Sequence, residues 1–108
     1  MLRQKIQNHC KVIKSLEINE KKIKSISTKI TNQILKGGKL LFCGNGGSAA
    51  DSQHLAAEFL IRLRPNVNRR PIAALSLATD VSTLTACAND YSADDIFLRT
   101  FLALKKEN

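Results

Sequence analysis

Three glycines within the four residues Gly44–Gly47 constrain this chain more than any other feature. Before them, Lys39-Leu40-Leu41-Phe42-Cys43 is short, apolar on both faces and bounded by glycines, a pattern that suits a buried parallel strand. After them, Ala49, Ala50, His54, Ala57, Leu60 and Ile61 recur at helical spacing, which predicts a helix over 48–63. A strand that enters a helix through a glycine-rich turn opens a βαβ unit. The glycines allow positive φ and close approach to the backbone. The free N–H groups of such a turn, with the helix dipole behind them, favour an anion or a cluster of hydroxyl oxygens. Asn45 and Ser48 add side-chain donors suited to sugar hydroxyls. The spacing is neither the dinucleotide GxGxxG nor the P-loop GxxxxGK[ST], which disfavours a nucleotide. A plain strand-to-helix turn is the alternative reading of Gly44-Asn45-Gly46-Gly47-Ser48.

The rest of the chain extends the same pattern. Residues 1–36 read as helix, with Leu2, Ile6, Ile13 and Leu16 on one face and Ile23, Ile26, Ile30 and Ile34 on another. Asn19, between the two runs, is a candidate N-cap that would make two helices of one. Gly37-Gly38 supplies the left-handed stop. Residues 64–70 are polar and contain Pro65, as a loop would. Residues 71–77 form a second apolar strand with Pro71 at its tolerated first position. Thr79 or Asp80 caps a helix through Leu84 and Cys87, and residues 94–106 are helical again. The order helix, helix, strand, helix, strand, helix, helix is the first half of a doubly wound α/β domain. The division expected is an N-terminal helical region over 1–36 and a first βαβα portion over 37–108. The isoleucine stripe needs a partner, either the sheet or the same stripe of another subunit.

The net charge of +8 sits in one place. Residues 1–39 hold ten Lys/Arg against Glu17 and Glu20, whereas residues 40–108 balance seven basic with seven acidic groups. A nucleic-acid or membrane surface is one reading of that excess; a solvated lysine-rich helix face is the other. No aromatic stacking platform or nucleic-acid motif accompanies the lysines, so no nucleic-acid partner is expected. Cys10, Cys43 and Cys87 form no CxxC pair, which points to reduced thiols and a cytoplasmic setting. Nothing resembles a signal peptide or a membrane span, so no membrane partner is expected either.

His54 and Glu58 stand four apart and share a helix face. An imidazole and a carboxylate so placed make half of a divalent-metal site, zinc being the best-suited ion. A carboxylate beside a polarised carbonyl can also act as the base in an enolisation. A surface i,i+4 hydrogen bond is the plainer reading of the pair. Asn89-Asp90-Tyr91 is placed after the helix, as a simple turn or as polar groups at the mouth of a site. Arg62, one turn beyond Glu58, either faces the same cleft or pairs with Glu58.

The run Cys-Gly-Asn-Gly-Gly-Ser-Ala-Ala-Asp-Ser-Gln-His-Leu-Ala-Ala-Glu at 43–58 closely resembles the phosphoheptose isomerases, which have the sugar-isomerase (SIS) fold. The stretch from Ala74 to Tyr91 and the block Ile96-Phe97-Leu98-Arg99 match as well, so the resemblance covers essentially the whole chain. It implies a SIS-type, flavodoxin-like sheet and conversion of sedoheptulose 7-phosphate to a heptose 7-phosphate, a precursor of bacterial surface polysaccharide. It assigns Asn45, Gly46, Gly47, Asn89 and Asp90 to the substrate, His54 and Glu58 to zinc, and Glu58 to proton transfer within the enediol of the bound substrate; Ser48 joins the substrate-binding set through its side-chain donor. It further implies a homotetramer with N-terminal helices between subunits. The family's phosphate loop and remaining metal ligands have no counterpart here. The expectation is therefore a truncated form, inactive alone, with an incomplete zinc site. The alternative is a non-catalytic SIS protein, binding a sugar phosphate or regulating a replication initiator. Glu58 argues against that branch, which resembles the present chain less at that position.

Overall fold

The computed structural model describes residues 1–106. The chain parts into two compact units, Met1–Leu35 and Lys36–Asn108. The first unit holds α1 (Leu2–Ser15), a 3₁₀ turn at Leu16–Asn19, and α2 (Glu20–Leu35). Asn19 is no cap: it lies within the 3₁₀ turn, and Ser15, Leu16 and Glu20 all keep right-handed helical φ and ψ. The joint is a tightened turn inside one helical run, because a capping residue must leave helical geometry and the neighbours here do not. Neither helix has a buried residue. Ile23, Ile26 and Ile30 form the stripe read from the sequence, and each is exposed.

In the second unit, Gly37 turns the chain at φ +82°, a value open to glycine. Then follow β1 (Leu40–Phe42), α3 (Gly47–Leu60), β2 (Ala74–Ser76), α4 (Val81–Asp90), a 3₁₀ turn at Ala93–Asp95 and α5 (Leu98–Leu104). The strands pair in parallel, with Leu40 opposite Ala74, Leu41 opposite Leu75 and Phe42 opposite Ser76. Bonds from Leu40 N–H to Ala73 C=O and from Leu77 N–H to Phe42 C=O extend the ladder at both ends. The α/β order and the parallel pairing agree with the sequence reading, and both strands are shorter than the apolar runs that announce them.

Helix α3 packs on both strands. The alternation of β2 shows which face it covers: Ala74 and Ser76 are buried, while Leu75 between them is 42% exposed. Burial on both faces, expected of such apolar strands, is thus met on one face of β2 and in part on β1, whose residues are half-buried. The reason is local: α3 lies over one side only. Among the described residues the buried apolar core is accordingly small, consisting of Ala56, Ala74, Leu77 and Cys87. Phe42 and Phe59 stack with centroids 5.9 Å apart and lock α3 to β1. Two lysines close the far end of the unit, Lys39 Nζ donating to Leu104 C=O at 3.0 Å and Lys106 Nζ to Gly37 C=O. No helix among the described residues is long and apolar enough to cross a membrane.

Candidate functional site at the end of the first strand

The glycine loop owes its shape to two different constraints. A Cβ on Gly44 would stand 2.5 Å from the Ser48 carbonyl oxygen, so the strand can meet the helix this closely only through glycine. Gly46 adopts φ +56° and ψ −122°, a conformation that side chains resist. Ser48 N–H bonds to Asn45 C=O at 3.0 Å, and Ala49 and Ala50 N–H both reach Gly46 C=O. The N–H groups of Asn45, Gly46 and Gly47 donate to no backbone carbonyl among the described residues. They sit at the positive end of α3, on exposed residues, with nothing within 4 Å of where a Cβ on Gly46 or Gly47 would lie. The loop therefore offers open donors to an oxygen-rich ligand, as its composition suggests.

Two turns along α3, His54 Nε2 lies 3.2 Å from Glu58 Oε1. The imidazole is open, with 75% of its side chain exposed, whereas the carboxylate is sheltered at 23%. Glu58 borders a cavity of about 370 Å³ whose other walls are Leu55, Phe59, Leu63, Arg69 and Ile72. Arg69 faces this carboxylate's helix and does not bond the carboxylate. Its guanidinium donates to the carbonyls of Glu58 at 2.6 Å, Phe59 at 2.8 Å and Arg70 at 3.1 Å. The first two of these bonds satisfy orphan carbonyls at the C-terminus of α3 and fix where the Glu58 turn ends. The helix stops at Leu60, short of the expected Leu63, because the chain turns there to return along Ile72, whose N–H bonds to Phe59 C=O. Arg62 takes neither expected role; it donates to Pro65 C=O at 2.8 Å and shapes the loop.

Asn89 and Asp90 are the last two residues of α4, not a turn beyond it. Asn89 Nδ2 donates to Asp90 Oδ1 at 2.8 Å, and both residues are exposed. No hydrogen bond or ion pair among the described residues joins them to the loop or to the His54–Glu58 pair. At the other end of α4, Asp80 is the cap and Thr79 is not. Asp80 accepts from Ser82 N–H at 3.1 Å and Thr83 N–H at 3.3 Å, while Thr79 Oγ1 donates to Ser76 C=O. The Thr83 hydroxyl bond, with the backbone bonds from Thr83 and Ser82, holds the Asp80 carboxyl below its usual range. Neither Arg69 nor the buried pair Ser52–Ser76 is legible in the sequence: a small polar residue among alanines carries no periodic signal, and Arg69 is one of several cations in a polar loop.

His54 and Glu58 fit part of a zinc site, since their donor atoms converge on one side of α3. They do not complete one: no group of three or more His, Cys, Asp or Glu able to hold a metal occurs among the described residues. Cys10, Cys43 and Cys87 are all free thiols.

A family model described as SIS domain matches residues 4–108. A phosphoheptose isomerase of Paramagnetospirillum magneticum is 62% identical over 73 residues, covering 68% of this chain and 37% of that protein. One from Chlorobaculum tepidum is 53% identical over 77 residues, covering 71% of this chain and 37% of the other. Among solved structures, a phosphoheptose isomerase from Francisella tularensis superposes with a TM-score of 0.77 at 28% identity, over 100% of this chain and 58% of that one. Another from Neisseria gonorrhoeae gives 0.71 at 34% identity, over 98% and 56%. The matched segments thus cover 37% of each of these curated relatives and 56–58% of the solved chains, and the chain spans about half the length of the family members it matches.

Proposed function

The chain belongs to the SIS domain family, and from that premise we propose that it carries the substrate-facing half of a sedoheptulose 7-phosphate isomerase site. The observation that carries the reading is the His54–Glu58 pair, 3.2 Å apart and placed along the same helix that begins at the open glycine loop. Asn45, Gly46, Gly47 and Ser48 bind sugar hydroxyls, and Asn89 and Asp90 complete the polar surround. Glu58, sheltered against apolar side chains, takes the proton from C1 of the ketose and returns it to C2 of the enediol, giving the aldose. His54 and Glu58 would hold part of a zinc site, which the described residues do not complete. Zinc would there polarise the carbonyl and the enediol oxygens. The described residues by themselves do not turn substrate over, because two donors on one helix hold zinc weakly.

The protein works as a homo-oligomer, which the exposed isoleucine stripe supports, and in the cytoplasm, in keeping with its free thiols. A second reading, an SIS protein that binds a partner without catalysis, is favoured by the basic first unit, in which Lys24 is the one basic residue paired with an acid among the described residues, Glu20 at 2.6 Å.

Titrating sedoheptulose 7-phosphate into the full chain and following amide resonances tests the site. Saturable shifts at Gly46 and Gly47 are expected, with weaker binding for Asn45→Ala. An unmoved loop at high ligand concentration rules the sugar-phosphate reading out. Stoichiometric zinc together with turnover would overturn the claim that these residues are inactive alone.

A further inference from the structure

Ser52 and Ser76 are the buried polar residues among those described, each 3% exposed, and neither belongs to the glycine loop or to the His54–Glu58 pair. Their hydroxyl oxygens lie 2.7 Å apart where α3 packs on β2. Counting protons gives the contact a direction, since a serine hydroxyl has one hydrogen to donate. Ser52 donates its own to Ala49 C=O, 2.8 Å away in the first turns of α3. The hydrogen between the two serines is therefore that of Ser76. Ser76 Oγ in turn accepts from Ala78 N–H at 3.2 Å, while Ser76 C=O accepts from the Thr79 hydroxyl at 3.1 Å.

The bonds form one directed chain, Ala78 to Ser76 to Ser52 to Ala49. At one end is the turn after β2 that delivers Asp80 to cap α4. At the other is the helical turn whose Ala49 N–H grips Gly46 C=O at 3.1 Å. Both turns follow the carboxyl ends of parallel strands, the side on which open α/β sheets receive ligands. A buried hydroxyl chain resists displacement, because each broken link leaves an unpaired group in a low dielectric. The two turns are thereby tied to each other directly, in addition to the Leu77–Phe42 ladder bond that joins the strands before them.

We propose that Ser76 is a positioning residue for the ligand site, holding the glycine loop through Ser52 at a fixed distance from the turn after β2. For its ligand the proposal rests on the sugar-phosphate reading; the linkage between the turns does not.

The test uses amide spectra of the full chain and its Ser76→Ala, Ser52→Ala, double and Ser76→Thr variants, with Cys87→Ala as a buried-core control. Ser52→Ala is expected to shift Ala78–Asp80, and Ser76→Ala to shift Gly46–Ala49, each reaching the turn it does not touch. The double variant should resemble the single ones, because either substitution breaks the same chain, and Ser76→Thr should restore the wild-type loop resonances. If Ser76→Ala does not fold, the reach of Ser52→Ala to Ala78–Asp80 decides. Shifts confined to the neighbours of each substitution, additive effects, or equal loop shifts in Cys87→Ala overturn the proposal. In the ligand arm, sedoheptulose 7-phosphate should bind Ser76→Ala roughly fivefold more weakly than wild type. Unchanged affinity overturns the positioning role. Failure of the wild-type chain to bind removes the sugar-phosphate reading instead and leaves the ligand-free spectra to judge the linkage.

Discussion

Gly46 and Gly47 are neighbours with different reasons to be glycine. At Gly46 the backbone itself demands it, with φ +56° and ψ −122°. Gly46→Ala should cost about 1–3 kcal/mol of stability whatever the ligand. At Gly47 the backbone asks for nothing: it is the first residue of α3, and no atom lies within 4 Å of an added Cβ. Gly47→Ala should therefore leave the melting temperature unchanged or higher, alanine being better in a helix by up to about 1 kcal/mol. The same methyl group would stand where the ligand approaches the open N–H groups, so affinity for sedoheptulose 7-phosphate should fall sharply. Thermal denaturation and titration of the two variants separate folding from binding. A Gly47→Ala protein that binds normally would show that the ligand does not come to this backbone. Composition announced a glycine loop here; that Gly46 is held by its backbone and Gly47 is not is visible only in the dihedral angles and the empty space.

Among the elements, α4 has the most sharply defined start. Asp80 caps it, and bonds from the Thr83 hydroxyl, Thr83 N–H and Ser82 N–H lower the carboxyl pKa in the folded state. A depressed folded pKa means that the ionised cap stabilises fully above the usual aspartate value, and that this contribution is lost as pH falls through the lower folded one. Asp80→Asn keeps an acceptor without the charge. The melting temperature of wild type should exceed that of Asp80→Asn at neutral pH, and the gap should close in strongly acidic solution; a gap independent of pH would show that the charge contributes nothing. The existence and kind of all the helices and both strands could be read from periodicity and glycines. Their limits were less legible. Residues 61–63 continue the apolar spacing of α3, yet Arg69 and Ile72 bind its last carbonyls and end it at Leu60. Residues 93–97 interrupt the helix expected over 94–106, because Ser92 Oγ bonds Asp95 and tightens a 3₁₀ turn before α5 begins.

For the molecule as a whole, the telling quantity is apolar surface left in water. Ile23, Ile26 and Ile30 are 50%, 47% and 40% exposed, and Leu75 on the uncovered sheet face is 42% exposed. The isoleucine stripe of α2 is the surface on which the proposed oligomer rests, since large exposed apolar patches are typical of interaction surfaces. Sedimentation of the full chain should show an assembly larger than the monomer, and the pair Ile26→Glu with Ile30→Glu should reduce it to monomer with helicity retained. A monomeric wild type would remove the oligomer from the proposed function.

The sequence by itself determined the α/β order, the glycine turn between strand and helix, the shared face of His54 and Glu58, and the isoleucine stripe. All are local or periodic properties, dictated by neighbours three or four residues away. Only the tertiary structure decided the rest. It put Ser76 against Ser52, 24 positions earlier in the chain, and Arg69 on the carbonyls behind Glu58. It gave Asp80 and not Thr79 the cap, left the Glu58 carboxylate sheltered beside an open imidazole, and covered one face of β2 while exposing the other. Contacts between distant residues follow from how the helix lies on the strands, and no spacing along the chain encodes that placement.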